Sequence, residues 1–296
     1  MLISVRRQIL LGSLLFSLSG ISFCTAAAIE VIDFAGRNII LEKPARRIVA
    51  LSPHTAENTF SAGAGDYLVG VVDHSDFPEA AKTIPRVGNY KAWSLESIIA
   101  SQPDLVLMWG SGNGLATLPA LERLGIPVYV SEPQHLDQIP QTLRAIGKLA
   151  GTSEVAEVAA DNFENGLRSL RNRHQRSTSI SVFYQVWNQP LQTLSGEHYI
   201  SELIALCGGY NIFADARVLA PKISIESVLK HNPDVILASG TGSLRPAWLD
   251  EWLAYPHLEA ARKKQLFFVA PDLLQRPTTR LLQGARELCR QLDSVK

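Results

Sequence analysis

Long apolar runs are missing from this chain once its first thirty residues are passed. No later segment reaches the roughly eighteen uninterrupted apolar residues that a membrane-spanning helix needs, so the processed chain is expected to be water-soluble. Charge of one sign is missing too. The 28 lysines and arginines balance 28 acids, which argues against nucleic acid or an anionic membrane surface as the main partner. Cysteine is scarce: Cys24, Cys207 and Cys289 lie far apart, whereas a metal knuckle wants closely spaced pairs. Common catalytic signatures are also lacking. There is no Gly-x-Ser-x-Gly elbow, no Gly-x4-Gly-Lys-Ser/Thr loop, no His-Glu-x-x-His and no Gly-x-Gly-x-x-Gly after a strand. Gly110-Ser-Gly-Asn-Gly114 lacks the lysine and helix start of a phosphate cradle. The expectation is a protein that binds rather than catalyses.

What is present begins with a leader. Arg6-Arg7, an apolar run from Ile9 through Phe23, and the small residues Thr25-Ala26-Ala27-Ala28 follow the grammar of a cleavable secretory signal. A membrane anchor is the alternative, but Ser13, Ser17, Ser19 and Gly20 interrupt the run. A lipid on Cys24 is a third option, which bulky Phe23 suits poorly. Cleavage near Ala28 is expected; it removes Arg6 and Arg7 and no acid, taking the net charge from 0 to −2. In the oxidising compartment this implies, Cys207 and Cys289 remain as an even pair, with a disulfide as the default and two free buried thiols as the alternative.

Hydrophobic patterning points to an α/β fold. A hairpin is expected from Val31 to Leu41, turned around Gly36. Strands follow at Arg47–Leu51, Leu68–Val72, Leu105–Trp109, Pro127–Val130, Ile180–Tyr184, Val235–Ala238 and Leu266–Val269. Their continuous apolar character, without alternation, suggests parallel sheets covered on both faces by helices. Leu136 to about Gln175 carries no strand signal. It reads as a helix to Ala150, a break at Gly151-Thr152-Ser153, and a second helix from Glu154 to His174 capped by Ser153. The basic cluster Arg168, Arg171, Arg173 and Arg176 suits the negative end of that helix or a solvated face.

One repeat organises the rest. Ser94-Leu-Glu-Ser-Ile-Ile-Ala-Ser-Gln-Pro-Asp-Leu-Val-Leu107 recurs as Ser224-Ile-Glu-Ser-Val-Leu-Lys-His-Asn-Pro-Asp-Val-Ile-Leu237, with six of fourteen positions identical. In each copy a serine caps a short helix, apolar residues such as Leu95, Ile98 and Ile99 face a core, and Pro-Asp ends the helix before a buried strand. Each strand then runs into a glycine-rich loop, Gly110–Gly114 or Gly240-Thr-Gly242, expected to be flexible. The spacing of 130 residues is too long for a solenoid unit, so the repeat marks two related lobes with a cleft between them. The expected organisation is a signal over 1–28, a first lobe over 29–135, a helical connector with a long rigid bridging helix over 136–176, and a second lobe over 177–296. Glu96 and Glu226 occupy equivalent first-turn positions. They either serve the helix dipole or form one anchor point on each lobe.

Arg47-Ile-Val-Ala-Leu-Ser-Pro53, Gly70-Val-Val-Asp-His-Ser-Asp-Phe-Pro78, Ser94–Trp109, Leu206-Cys-Gly-Gly-Tyr-Asn-Ile-Phe213 and Pro271-Asp-Leu-Leu-Gln-Arg276 together carry a resemblance. In their order and spacing, from Arg47 to Leu292, the chain resembles the periplasmic vitamin B12-binding proteins of ABC transporters, within the class that also binds siderophores and haem. The resemblance implies a monomer that holds cobalamin, a cobalt corrinoid, between two lobes and hands it to permease subunits in the inner membrane. It implies that Glu96 and Glu226 dock onto arginines of the permease, and that Cys207 and Cys289 form the disulfide. It places Tyr90 beside the corrin, and His54 and His74 in first-lobe loops facing the ligand. Trp187 follows the first strand of the second lobe, and Asp272, Gln275 and Arg276 follow the last strand within reach of the corrin amides.

Each has a plainer account. Asp272 and Arg276 pair only with each other, Trp187 packs locally, and the histidines hydrogen-bond in their loops rather than approach cobalt or iron. This chain has Ala220 where the best-known members have tryptophan, and Gln275 where they have an acid, so the pocket wall differs. A haem or iron-siderophore carrier is the alternative reading, although Arg276 and Arg245 are the only candidate cations for a siderophore.

Overall fold

The described residues open on a hairpin, β1 (Ile29–Ile32) against β2 (Asn38–Leu41), antiparallel with Ile29 opposite Leu41. Gly36 takes the turn at φ +74°, where a side chain would be strained. The Asp33 carboxylate closes it by accepting from the Ala35 and Arg37 amides at 2.9 Å. In this computed structural model, residues 28–174, 180–240, 242 and 244–295 are described. The leader with Cys24, together with Arg176 and Thr241, lies outside the described residues.

Two four-stranded parallel sheets follow. The first contains β3 (Ile48–Ala50), β4 (Leu68–Val71), β5 (Leu105–Trp109) and β6 (Val128–Ser131), in the order β4-β3-β5-β6. The second contains β7 (Ile180–Gln185), β8 (Gly209–Asn211), β9 (Val235–Ala238) and β10 (Leu266–Phe268), in the order β8-β7-β9-β10. Counted from each lobe's first strand, the two orders are the same, so the repeat reports two copies of one topology. β8 carries no strand pattern in the sequence; it is a three-residue edge strand that begins with glycine.

Successive side chains along a strand enter different cores, which is why no alternation is visible. Ile48, Ala50, Leu105 and Leu107 face one cluster, while Val49, Leu51, Val106 and Met108 face another. In the second sheet Val182, Tyr184, Val235 and Leu237 face one side, and Phe183, Ile236 and Ala238 the other.

The helices used below are α1 (Pro53–Ser61), α2 (Leu95–Ala100), α3 (Gln138–Ala150), α4 (Ser153–Arg173), α5 (Tyr199–Leu206), α6 (Ile225–His231) and α7 (Leu281–Asp293). The repeat's parts do matched work. Ser94 and Ser224 cap α2 and α6 by accepting from the Ser97 and Ser227 amides. Asp104 accepts from the Arg46 and Arg47 amides at 2.8 and 2.9 Å, just before β3. Asp234 accepts from the Ser181 amide at 2.9 Å, in β7. Each Pro-Asp pair therefore both ends a helix and clamps the neighbouring strand.

Three local expectations are corrected. Ser153 is the first residue of α4, and Thr152 occupies the cap position, its hydroxyl donating to the Ala62 carbonyl at 2.7 Å instead of capping the helix, because Gly151 turns at φ +67° one residue earlier. Ile99 points to solvent at 46 % exposed, since α2 is short and buries only Ile98 fully. Gly110–Asn113 is a helical turn rather than a flexible loop, held by the buried Asn113.

α3 and α4 form an antiparallel pair spanning both cores: Ile139, Phe163 and Leu167 pack in the second lobe, and Ile146, Leu149 and Ala156 in the first. Close approach needs glycine here. A Cβ on Gly147 would stand 2.3 Å from the Ala156 Cβ, and one on Gly166 would stand 2.3 Å from Leu282 of α7. Arg144 of α3 bonds Glu157, Asp161 and Glu164 of α4, which fixes the pair further. Cys207, at the end of α5, and Cys289 of α7 form a disulfide inside the second core.

Candidate functional site

In each sheet the chain leaves its first strand, adds one neighbour, then crosses to the other side. A parallel sheet opens a crevice at that switch point, beyond the carboxyl ends of the two central strands. In the first lobe those ends are the Leu51–His54 segment after β3 and Trp109 at the end of β5. In the second they are Gln185 at the end of β7 with Val186 and Trp187 after it, and Ser239 after β9.

The first lobe's crevice is an aromatic wall. The Trp109 ring meets His54 edge-on at 5.1 Å and Tyr90 in a tilted contact at 5.8 Å. Asn113 ties the wall's three segments together. Its Oδ1 accepts from the Trp109 amide at 2.6 Å, while its Nδ2 donates to the Leu51 carbonyl at 2.8 Å and the Tyr90 carbonyl at 2.6 Å. Glu132 accepts from the Trp109 indole at 3.3 Å and from the Ser111 hydroxyl at 3.0 Å. His54 lies behind the surface, 4 % exposed, with Nε2 at 3.3 Å from the Ser52 hydroxyl. Burial, reinforced by the positive charge of Arg276, pushes its imidazole down to about 3, so the ring is neutral at neutral pH.

The second lobe offers hydrogen-bonding groups. Tyr184, buried in β7, donates to the Ser239 hydroxyl at 3.0 Å and accepts from Gln275 Nε2 at 3.4 Å. Arg276 bonds Asp272 at 2.9 Å, but the two do not pair only with each other: its Nη2 also reaches the first lobe and donates to the His74 carbonyl at 3.2 Å. His74 holds a left-handed φ of +64° and its side chain is exposed. The Trp187 ring is half-exposed and its indole donates to the Gln189 carbonyl at 2.9 Å. Arg245, the other candidate cation, is spanned by both oxygens of Asp250.

Trp109 thus joins His54 to Tyr90, and Arg276 joins His74 to Asp272, with the Arg276 charge felt at His54. Trp187 sits on the second switch point. Trp109, Asn113 and Glu132 are additions that sequence reasoning missed: Trp109 reads as the last residue of a core strand, and Asn113 as part of a loose glycine loop. Among the described residues no group of three or more His, Cys, Asp or Glu is placed to hold a metal ion.

Glu96 and Glu226 are both exposed in the first turns of α2 and α6. A hydrogen bond from its own backbone and one from Ser224 hold the Glu226 carboxyl below the usual range.

The profile of the periplasmic binding protein family matches residues 48–273, the stretch from β3 to just past β10. The chain belongs to the periplasmic binding protein family. A vitamin B12-binding protein of Yersinia pseudotuberculosis is 39 % identical over 251 residues, 85 % of this chain and 88 % of its own. The protein of that name from Vibrio campbellii is 36 % identical over 253 residues, 86 % of this chain and 91 % of its own. The crystal structure of the periplasmic vitamin B12 binding protein BtuF of Vibrio cholerae aligns with a TM-score of 0.77 and 36 % identity, covering 84 % of this chain and 97 % of that one. Among the described residues no helix is long and apolar enough to cross a membrane.

Proposed function

We propose that this periplasmic binding protein captures cobalamin, or a close corrinoid, in the cleft between its lobes and delivers it unchanged to an ABC importer. The observation that carries the reading is the chemistry of the two walls. A corrin presents flat apolar faces and an edge of amide side chains. The Trp109–Tyr90 wall offers ring faces, and Asp272, Gln275 and Arg276 offer donors and acceptors on the opposite lobe. The names borne by its relatives support the same cargo.

In this reading Tyr90, Trp109 and Trp187 touch the macrocycle, and His54 braces the wall from behind. His74 rims the cleft and is the histidine open to a metal-centred ligand. Glu96 and Glu226, one per lobe, meet basic side chains of the permease; paired charges at two points set orientation and partner choice more than raw affinity. The leader directs export to the periplasm, where the carrier works as a monomer of two lobes, 29–135 and 177–296, joined by the helices of 136–176.

The test is ligand retention. Purified mature protein is mixed with cyanocobalamin and, separately, with hemin, then desalted. One equivalent of cyanocobalamin should stay with the protein and be recovered chemically intact. Retention of hemin alone overturns the cargo, and recovery of an altered corrinoid overturns the carrier role.

A further inference from the structure

Glu57 of α1 is 1 % exposed, and the wall contacts described above do not use it. Its carboxylate crosses to the other lobe, where it accepts from Arg280 Nε at 2.8 Å, from Arg280 Nη2 at 2.6 Å and from the Thr278 hydroxyl. The Arg280 guanidinium also lies over the Phe77 ring of the first lobe, 4.0 Å from its centre. Beside it, Asn58 Nδ2 donates to the Pro277 carbonyl at 3.0 Å, and the Ser61 and Thr279 hydroxyls meet at 3.2 Å.

All four residues from Pro277 to Arg280 are therefore tied to the first lobe, although the segment leads into α7 of the second. Gln275 and Arg276 directly precede it in sequence, and His54 begins the same helix that carries Glu57. A buried carboxylate gripping a guanidinium through two parallel bonds fixes angle as well as distance. Neither partner can relax alone without leaving a buried charge uncompensated.

We propose that Glu57, acting through Thr278 and Arg280, is a ligand-positioning residue that sets where Gln275 and Arg276 stand against the aromatic wall. It works by pinning their segment to α1, and it need not touch the ligand. The inference rests on the cleft being the corrinoid site proposed above.

The experiment is a double-mutant cycle on the full mature chain, with Glu57→Gln, Arg276→Ala and the pair together. Cyanocobalamin affinity is measured by titration calorimetry, and amide hydrogen exchange is followed without ligand. Glu57→Gln should weaken binding about tenfold, and the pair should lose less than the two single losses combined, because residues acting through one another are non-additive. Exchange should quicken over residues 274–283 and along α1 while the amides of β7 and β9 stay as slow as before; a general loss of stability would quicken all of them. Full affinity in Glu57→Gln, additive losses, or unchanged exchange over 274–283 would each overturn the proposal. If the unaltered protein fails to bind cyanocobalamin, the carrier reading falls and the positioning of that ligand falls with it. Exchange then still decides whether Glu57 holds the segment. Should Glu57→Gln not fold, Arg280→Lys, which keeps the charge but loses the paired bonds, takes its place with the same expectations.

Discussion

Acid should strip stability from this protein through His54. The ring is buried behind Trp109, and burial with the nearby Arg276 charge pushes its imidazole down to about 3. An unfolded histidine titrates near about 6.5, so below that pH the unfolded chain binds a proton that the folded chain refuses. The stabilisation is whole above the unfolded value and is lost as pH falls through the window between about 6.5 and about 3. At pH 4.5 the unfolded ring is almost fully charged and the folded ring almost fully neutral. The linkage then removes about 3 kcal/mol relative to pH 7.5. That figure is set mainly by the unfolded value, because at pH 4.5 the folded ring has hardly begun to titrate. The assay is urea unfolding of the wild type and of His54→Gln at the two pH values. The gap in stability between them should fall by about 3 kcal/mol on acidification. Other titrating groups cancel in that gap. They include His198, which burial pushes down to about 4, and His135, which its hydrogen bond to Glu202 raises. A gap that stays constant to within about 0.5 kcal/mol would refute the claim that His54 is buried uncharged.

Replacing Cys207 and Cys289 by alanine opens a loop of sequence separation 82. The loop-entropy relation puts the loss at about 4.5 kcal/mol, read by urea unfolding at pH 7.5; a loss below about 1 kcal/mol would contradict that account. Replacing Glu96 and Glu226 together by alanine should abolish cobalamin uptake in cells while affinity in solution changes by less than about twofold, since exposed charges act on partner choice. Equal loss of uptake and binding would mean that these acids serve the fold.

Most of the architecture was legible because it follows from period and punctuation. The strands of both sheets that bury two faces announce themselves as unbroken apolar runs, and β8 escaped because Gly209-Tyr210-Asn211 has neither the length nor the apolar character. The repeat exposed the paired lobes before any contact was known. Local chemistry was harder. Ser153 looks like a cap, but Gly151 turns the chain early and leaves Thr152 there. Ile99 looks like a core residue, but six residues of helix offer only a narrow buried stripe. In the candidate site, Tyr90 and Arg276 come from resemblance alone, and nothing along the chain joins Glu57 to Arg280, which lie 223 positions apart. Such a contact exists only once two lobes have been set against each other.

The place where the repeat stops is itself informative. Its two copies share a helix cap, a core face and an aspartate clamp, which are needs of the sheet, and they end at Leu107 and Leu237, just before the chain leaves the sheet. Beyond the strand ends the lobes diverge. One continues into Trp109 and the Asn113-held turn; the other into Ser239, which orients Tyr184 and through it Gln275. A pair of identical walls would suit a ligand alike on both sides. A corrin is apolar across its faces and polar along its edge, so it needs one wall of rings and one of hydrogen-bonding groups. On the proposed reading, the same demand accounts for the fastening of the lobes through Glu57 and Arg280. Unlike walls recognise one ligand together only if the distance between them is fixed.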